Sequence, residues 1–425
     1  MKGHDVNRSY VDLFRKIAQS IKLDYAAHDI WEDRDRTTRF IDELTFYMMH
    51  SVVSDVRFAR IVGKYLACFR DPHLCLHVDH ELSPYKHYDC GIVLRRFGDA
   101  LYVEESANPQ FRKGNRILSA DYRSVTELSD MNAPCLFSAM PERQVWEKTL
   151  HFCSMASVEA NGRLVDVKLD KTAAFCEKKT NSVVPVGDDV VLVVLHELKN
   201  EHDVKQLIDD YAPQLQNAKG MVLDIRDCTG TCDEALAVLA PLVADSGMKV
   251  SDFLEESCLV NYSARNCELL EESLAPLDGD SWIDDVLREI KEHRGEGLKP
   301  FSCDVPSELR FAIEPQLGCK VAVLVDRRCS GSAETLAELC KAASRCVLVG
   351  RNSSGLSGTL LPIEVAIDEC FSLEYPIARM DEDALMRHGS GVGIVVDHYI
   401  PWTPEHLRRD VDADAACDLL FADLA

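Results

Sequence analysis

Nine residues, Asp326-Arg327-Arg328-Cys329-Ser330-Gly331-Ser332-Ala333-Glu334, carry the strongest chemical suggestion in the chain. They follow the apolar run Val321–Val325 and lead into the alanine-rich stretch 333–343, so a buried strand ends, small residues turn and a helix begins. Such a turn holds a hydroxyl beside the N–H groups of a helix N-terminus, where a developing oxyanion is stabilised. Ser330 or Ser332 would serve equally as a plain helix cap. A second set is His73, Cys75, His77 and Asp79, which alternate and so share one face of a strand, with His80 and His87 close by. That face suits a metal ion, or is a polar strand face with satisfied histidines.

Three other signatures do not meet the spacing their chemistry needs. Cys228 and Cys232 flank Thr229-Gly230-Thr231, but no second cysteine pair completes a zinc site. His196-Glu197 is followed by a histidine only at His202, whereas a metallopeptidase helix needs it four residues after the first. Gly389-Ser390-Gly391-Val392-Gly393 runs into the strand-like Ile394-Val395-Val396, not into the helix of a dinucleotide loop.

The elements that must position these residues change character along the chain. Residues 1–85 read as a helical domain ending in a strand, with apolar stripes at Val11, Leu13, Phe14, Ile17 and Ile21 and at Phe58, Ile61, Val62, Tyr65, Leu66 and Phe69. Residues 86–135 read as a small β module whose Lys113–Asp121 stretch looks like the glycine turn and strand of a PDZ domain. Such modules bind peptide tails as an added strand. Residues 136–185 read as a connecting β-rich segment. From 186 to 425 strands and helices alternate, with strand candidates Val190–Leu195, Met221–Ile225, Val321–Val325 and Val347–Val349, which predicts an α/β core. The acidic, helical stretch 252–316 reads as an insertion in that core.

Composition limits what the whole can be. The chain has 425 residues, 46% hydrophobic and 28% charged, an ordinary globular balance. No apolar run approaches the roughly 20 residues of a membrane span. A net charge of −24 repels phosphate backbones and disfavours nucleic acid as a partner. The 17 cysteines are odd in number and irregularly spaced, and the N-terminus lacks the apolar stretch of a signal peptide, so a reduced, cytoplasmic protein is expected.

In order along the chain, several segments resemble the tail-specific, or C-terminal processing, serine peptidases, in particular the branch similar to the tricorn core. Cys68-Phe69-Arg70-Asp71-Pro72-His73 looks like the family's L-x-D-x-H element, and the PDZ-like module follows. Leu223-Asp224-Ile225-Arg226-Asp227-Cys228-Thr229-Gly230 resembles its D-x-R-x-x-x-G-G loop, and Asp326–Glu334 its nucleophile turn. Val349-Gly350-Arg351 resembles a strand end, and His388 through Asp397 with Thr403-Pro404-Glu405 the tail.

The resemblance implies a crotonase-like (ClpP/crotonase-type) α/β core and peptide hydrolysis through an acyl-enzyme, with no cofactor or metal. It implies His73 as general base, and Gly230, Thr231 and the turn at Gly331 as oxyanion donors. Several family positions are altered. The nucleophile position falls on Gly331, between Ser330 and Ser332; the bacterial lysine base falls on Leu356; and the acidic residue falls on His388. Three functions follow: a serine peptidase using Ser332 or Ser330 with His73 and His388; an inactive relative binding peptides; and a metal-dependent hydrolase on the His73–Asp79 face. The expected partner is a peptide or an unfolded protein tail, with homo-oligomerisation left open.

Overall fold

A computed structural model of the chain describes residues 9–30, 34–78, 90–150, 153–169, 179–186, 189–254, 258–277, 281–355, 358–382 and 392–421. Short, mostly apolar runs form the central sheet: β1 Ser182–Val186, β2 Val190–Val194, β3 Gly220–Asp224, β4 Lys320–Val325, β5 Cys346–Gly350 and, at its edge, β6 His398–Tyr399. Their order is β6-β5-β4-β3-β2-β1; all pairs are parallel except β1 with β2. Parallel strands must be covered on both faces, which is why they read as unbroken apolar runs. Within β4, Val321, Val323 and Val325 pack into one core while Ala322 and Leu324 pack into the other.

The first of these cores takes α4, Glu234–Val243, and α5, Ser332–Ala342. The second takes the C-terminal helix Val411–Phe421 through Ala416 and Leu420. These layers form one compact unit made of residues 177–257, 303–358 and 381–425.

The other unit comprises residues 1–176, 258–302 and 359–380. Its helices α1 Tyr10–Asp24, α2 Arg34–His50 and α3 Asp55–Ala67 bury Phe14, Ile17, Ile21, Phe58, Val62 and Tyr65, in line with the predicted stripes. They pack on the five-stranded sheet formed by Cys75–Val78, Phe371–Met380, Cys258–Asn261 and Leu298–Pro300, with Thr359–Ala366 also paired to Phe371–Met380. Much of the segment set apart as an insertion thus belongs with the N-terminal helices, because Cys258–Asn261 pairs with Phe371–Met380. A second sheet runs Ile92–Phe97, Ala100–Ser106, Arg116–Ala120, Met155–Ala160 and Arg163–Lys168. It therefore continues past residue 135 into the stretch read as a connector.

Candidate active site

The loop and the turn singled out by sequence lie side by side. Glu197–Leu198, Thr229–Gly230 and Ser330–Gly331 form three short parallel strands, with Thr229 opposite Ser330 and Gly230 opposite Gly331. Gly331 has φ +62° and ψ −137°, a backbone region open essentially to glycine alone. A Cβ placed on it would lie 2.0 Å from the Gly230 carbonyl oxygen. The side-chain space at the position that the resemblance assigns to the nucleophile is thus filled by backbone. The Thr231 N–H donates to the Leu198 carbonyl at 2.9 Å, so this predicted oxyanion donor is already engaged in the small sheet.

Ser332, the first residue of α5, is 5% exposed, and its hydroxyl donates to Asp233 Oδ1 at 2.6 Å. Gly230 is a glycine for the same reason: a Cβ there would meet the Ser332 Cβ at 2.7 Å. Asp233 holds the N-cap position of α4, but its backbone is helical and its carboxylate caps nothing. The carboxylate takes the serine hydroxyl instead. Burial pushes the Asp233 carboxyl up from its ordinary value, the Ser332 hydrogen bond opposes that rise and neighbouring Glu234 adds to it. Ser330 is half-buried, and its N–H donates to the Cys228 carbonyl at 3.0 Å.

The two cysteines beside the turn are poor nucleophiles. Burial, then the charges of Asp227, Asp224 and Glu197, push the Cys228 thiol up to about 12. Cys329 is fully buried, and burial followed by Glu334 raises it well above its ordinary value. At neutral pH both remain thiols, the unreactive form.

Motif residues carried by the resemblance meet in a buried charge network. Arg226 bonds Asp224 at 2.6 Å and Asp410 at 2.7 Å. Arg351 bonds Asp412 at 2.6 Å and Asp326 at 3.1 Å, and His406 Nε2 lies 3.2 Å from Asp412. Asp326 opens the Ser330–Ser332 turn, so the network anchors the strand end that presents it. Glu334 anchors the other side, accepting from the Ser353 hydroxyl and from the Gly355 N–H at 2.8 Å.

Burial works to raise Asp412, but hydrogen bonds from His406 and Arg351 and the nearby arginine charges hold it well below its ordinary 3.8. Stability from this group is therefore present above pH 3.8 and is lost as pH falls below it. Asp412→Asn removes the carboxylate that both arginines share and leaves the buried Arg351 with the carboxylate of Asp326 alone. It is expected to lower the unfolding free energy by about 3 kcal/mol at neutral pH in urea titration, and the difference should shrink in acid.

His73 belongs to the helical unit. It is half-buried in the turn before the strand Cys75–Val78, not on that strand. Its N–H donates to Asp71 Oδ1 at 2.9 Å, and Asp71 Oδ2 accepts from the buried Tyr25 hydroxyl at 2.8 Å. The expected alternating His73–Asp79 face is thus cut short, because the turn precedes Cys75 and His77 Nε2 already lies 2.7 Å from Glu374. Asp79, His80, His87, Leu356 and His388 lie outside the described residues. Among the described residues no cluster of three or more His, Cys, Asp or Glu side chains could hold a metal ion. The same residues contain no helix long and apolar enough to cross a membrane.

Asp233 is the residue that sequence reasoning missed. Its position at the start of an apolar helix reads as an ordinary cap. Only the pairing of Thr229–Gly230 with Ser330–Gly331 brings it to Ser332.

A mostly parallel sheet covered on both faces, with a serine hydroxyl on a carboxylate at a strand-to-helix turn, defines an α/β protein. Residues 189–398 match the model of peptidase family S41, a family of serine peptidases. In fold it is similar to mature CPAF complexed with lactacystin, at 11% identity over 98% of each chain with a TM-score of 0.63. A second structure of mature CPAF matches at 11% identity over 97% of this chain and 98% of that one, with a TM-score of 0.62. No curated protein sequence matches the chain.

Proposed function

We propose that the chain hydrolyses peptides or protein tails through an acyl-enzyme in which Ser332, displaced by one residue from the family position, is the nucleophile. The 2.6 Å hydrogen bond from its hydroxyl to Asp233 carries this reading. Asp233 then takes the serine proton, and a carboxylate raised by burial is a stronger base than an exposed one. The N-terminal amides of α5 favour negative charge next to the attacked carbonyl. We further read the central sheet as a crotonase-like core and the sheet around Gly114 as PDZ-like. The latter is supported by the turn at Gly114, φ +88°, and by the edge strand Arg163–Lys168, to which a peptide can add.

The pH dependence of kcat/KM tests the base. A general base works deprotonated, so activity should rise with pH through the Asp233 pKa, on a limb lying above the ordinary 3.8. Asp233→Asn should lower kcat/KM by about 100-fold and abolish that limb. A limb that survives in Asp233→Asn and disappears in His73→Ala would instead give His73 the role that the resemblance implies.

A second reading is favoured by the glycine at 331 and the carbonyl oxygen filling its side-chain space. On it the chain binds peptides without cleaving them. Tight binding of a peptide tail with no active-site labelling would support this reading and exclude the first.

A further inference from the structure

Helices α1, α2 and α3 border an open cavity of about 510 Å³ that peptide hydrolysis leaves unexplained. Arg15 and Lys22 line it from α1; seven residues apart, they stand two turns from each other on one helix face. His28 lines it from the turn that follows, Thr37 from α2, and Tyr65 and Phe69 from α3 and its end. Among the described residues no carboxylate lines it, in a chain with 71 acidic and 47 basic side chains.

The floor is buried and aromatic. Tyr65 and Phe69 are 2% and 4% exposed and pack edge to face with ring centroids 5.4 Å apart. Phe14 lies against Tyr65 from below, at 5.0 Å. The Tyr65 hydroxyl and Thr37 Oγ1, 3.4 Å apart, bring polar groups to the same wall. Arg15 meets Asp12 at 3.1 Å, but both side chains are more than 60% exposed, and such a pair holds its partner weakly.

A cavity of this size, with an aromatic floor and two cationic side chains at its rim, fits the general form of a small-molecule site. We propose that it binds a small anionic molecule: one carboxylate or phosphate group on a compact apolar or aromatic body. The head lies against Arg15 and Lys22 and the body against Tyr65 and Phe69.

Titration calorimetry of the full chain with phenyl phosphate, phenylacetate and the neutral benzyl alcohol tests this. One or both anions should bind saturably and benzyl alcohol should not. The tighter anion identifies the head group. The double variant Arg15→Ala/Lys22→Ala, at two solvent-facing positions, should stay folded by circular dichroism and bind about tenfold more weakly. Absence of saturable binding by either anion in the millimolar range, equal binding of benzyl alcohol, or unchanged affinity in the double variant would each overturn the proposal.

Discussion

Ser332→Ala is expected to lower kcat/KM on an unstructured peptide by at least about 1,000-fold, whereas Ser330→Ala changes it less than about threefold. The contrast follows from the backbone. Residues 330 and 332 flank a glycine whose conformation is fixed by close contact with Gly230, so their side chains have different surroundings. Only the Ser332 hydroxyl has a carboxylate partner at 2.6 Å, and only Ser332 begins a helix of 11 residues. Removing that hydroxyl leaves Asp233 buried without it, a loss of about 1–3 kcal/mol that a folded domain can tolerate. Circular dichroism and urea titration of the same variant separate loss of chemistry from loss of structure. Equal activity of Ser332→Ala and the parent chain would remove the hydroxyl from the mechanism.

The second large effect is on stability. Gly331→Ser supplies a hydroxyl where the resemblance implies the nucleophile, yet it is expected to unfold the turn without raising activity. The φ of +62° alone costs a residue with a side chain roughly 1–2 kcal/mol. The added Cβ would also stand 2.0 Å from a backbone oxygen, which cannot move aside as a flexible side chain can. A total loss of about 3 kcal/mol or more is expected, seen as a lower midpoint in urea. Gly331→Ala should lose as much, since the obstacle is the Cβ and not the hydroxyl. Gly331→Ser that is stable and more active would mean that the Gly230 peptide turns away readily. The family position would then be the working one.

The layers of the molecule were legible in the sequence because burial on both sheet faces leaves unbroken apolar runs. Val190–Leu195 and Val321–Val325 became the strands Val190–Val194 and Lys320–Val325. The amphipathic stripes of α1 and α3 read correctly for the same reason, since a single buried face imposes a helical period. The grouping of segments was not legible. Cys258–Asn261 pairs with Phe371–Met380 more than 100 residues away, and nothing local in either strand encodes its partner.

The site was legible to the extent that small residues advertise a tight turn. Gly230, Gly331, Ser330 and Ser332 do come together, but which serine has a partner depends on Asp233, brought in from the start of a different helix. His73 was placed on a strand face by its alternation with Cys75 and His77. Its turn is instead held by Asp71, bonded to Tyr25 from the end of α1, a contact between residues 46 apart. The charged motif residues Asp224, Arg226, Asp326 and Arg351 read as parts of a catalytic signature. Their bonds show a structural role: they fix the strand ends from which the turn projects.

The most direct test is to treat the full chain with a fluorophosphonate, digest it and locate the adduct by mass spectrometry. A single stoichiometric adduct on Ser332, absent in Ser332→Ala and slowed in Asp233→Asn, is the predicted result. An adduct on Ser330, or no adduct on a folded chain that still binds a peptide tail, would contradict the assignment of Ser332 as nucleophile.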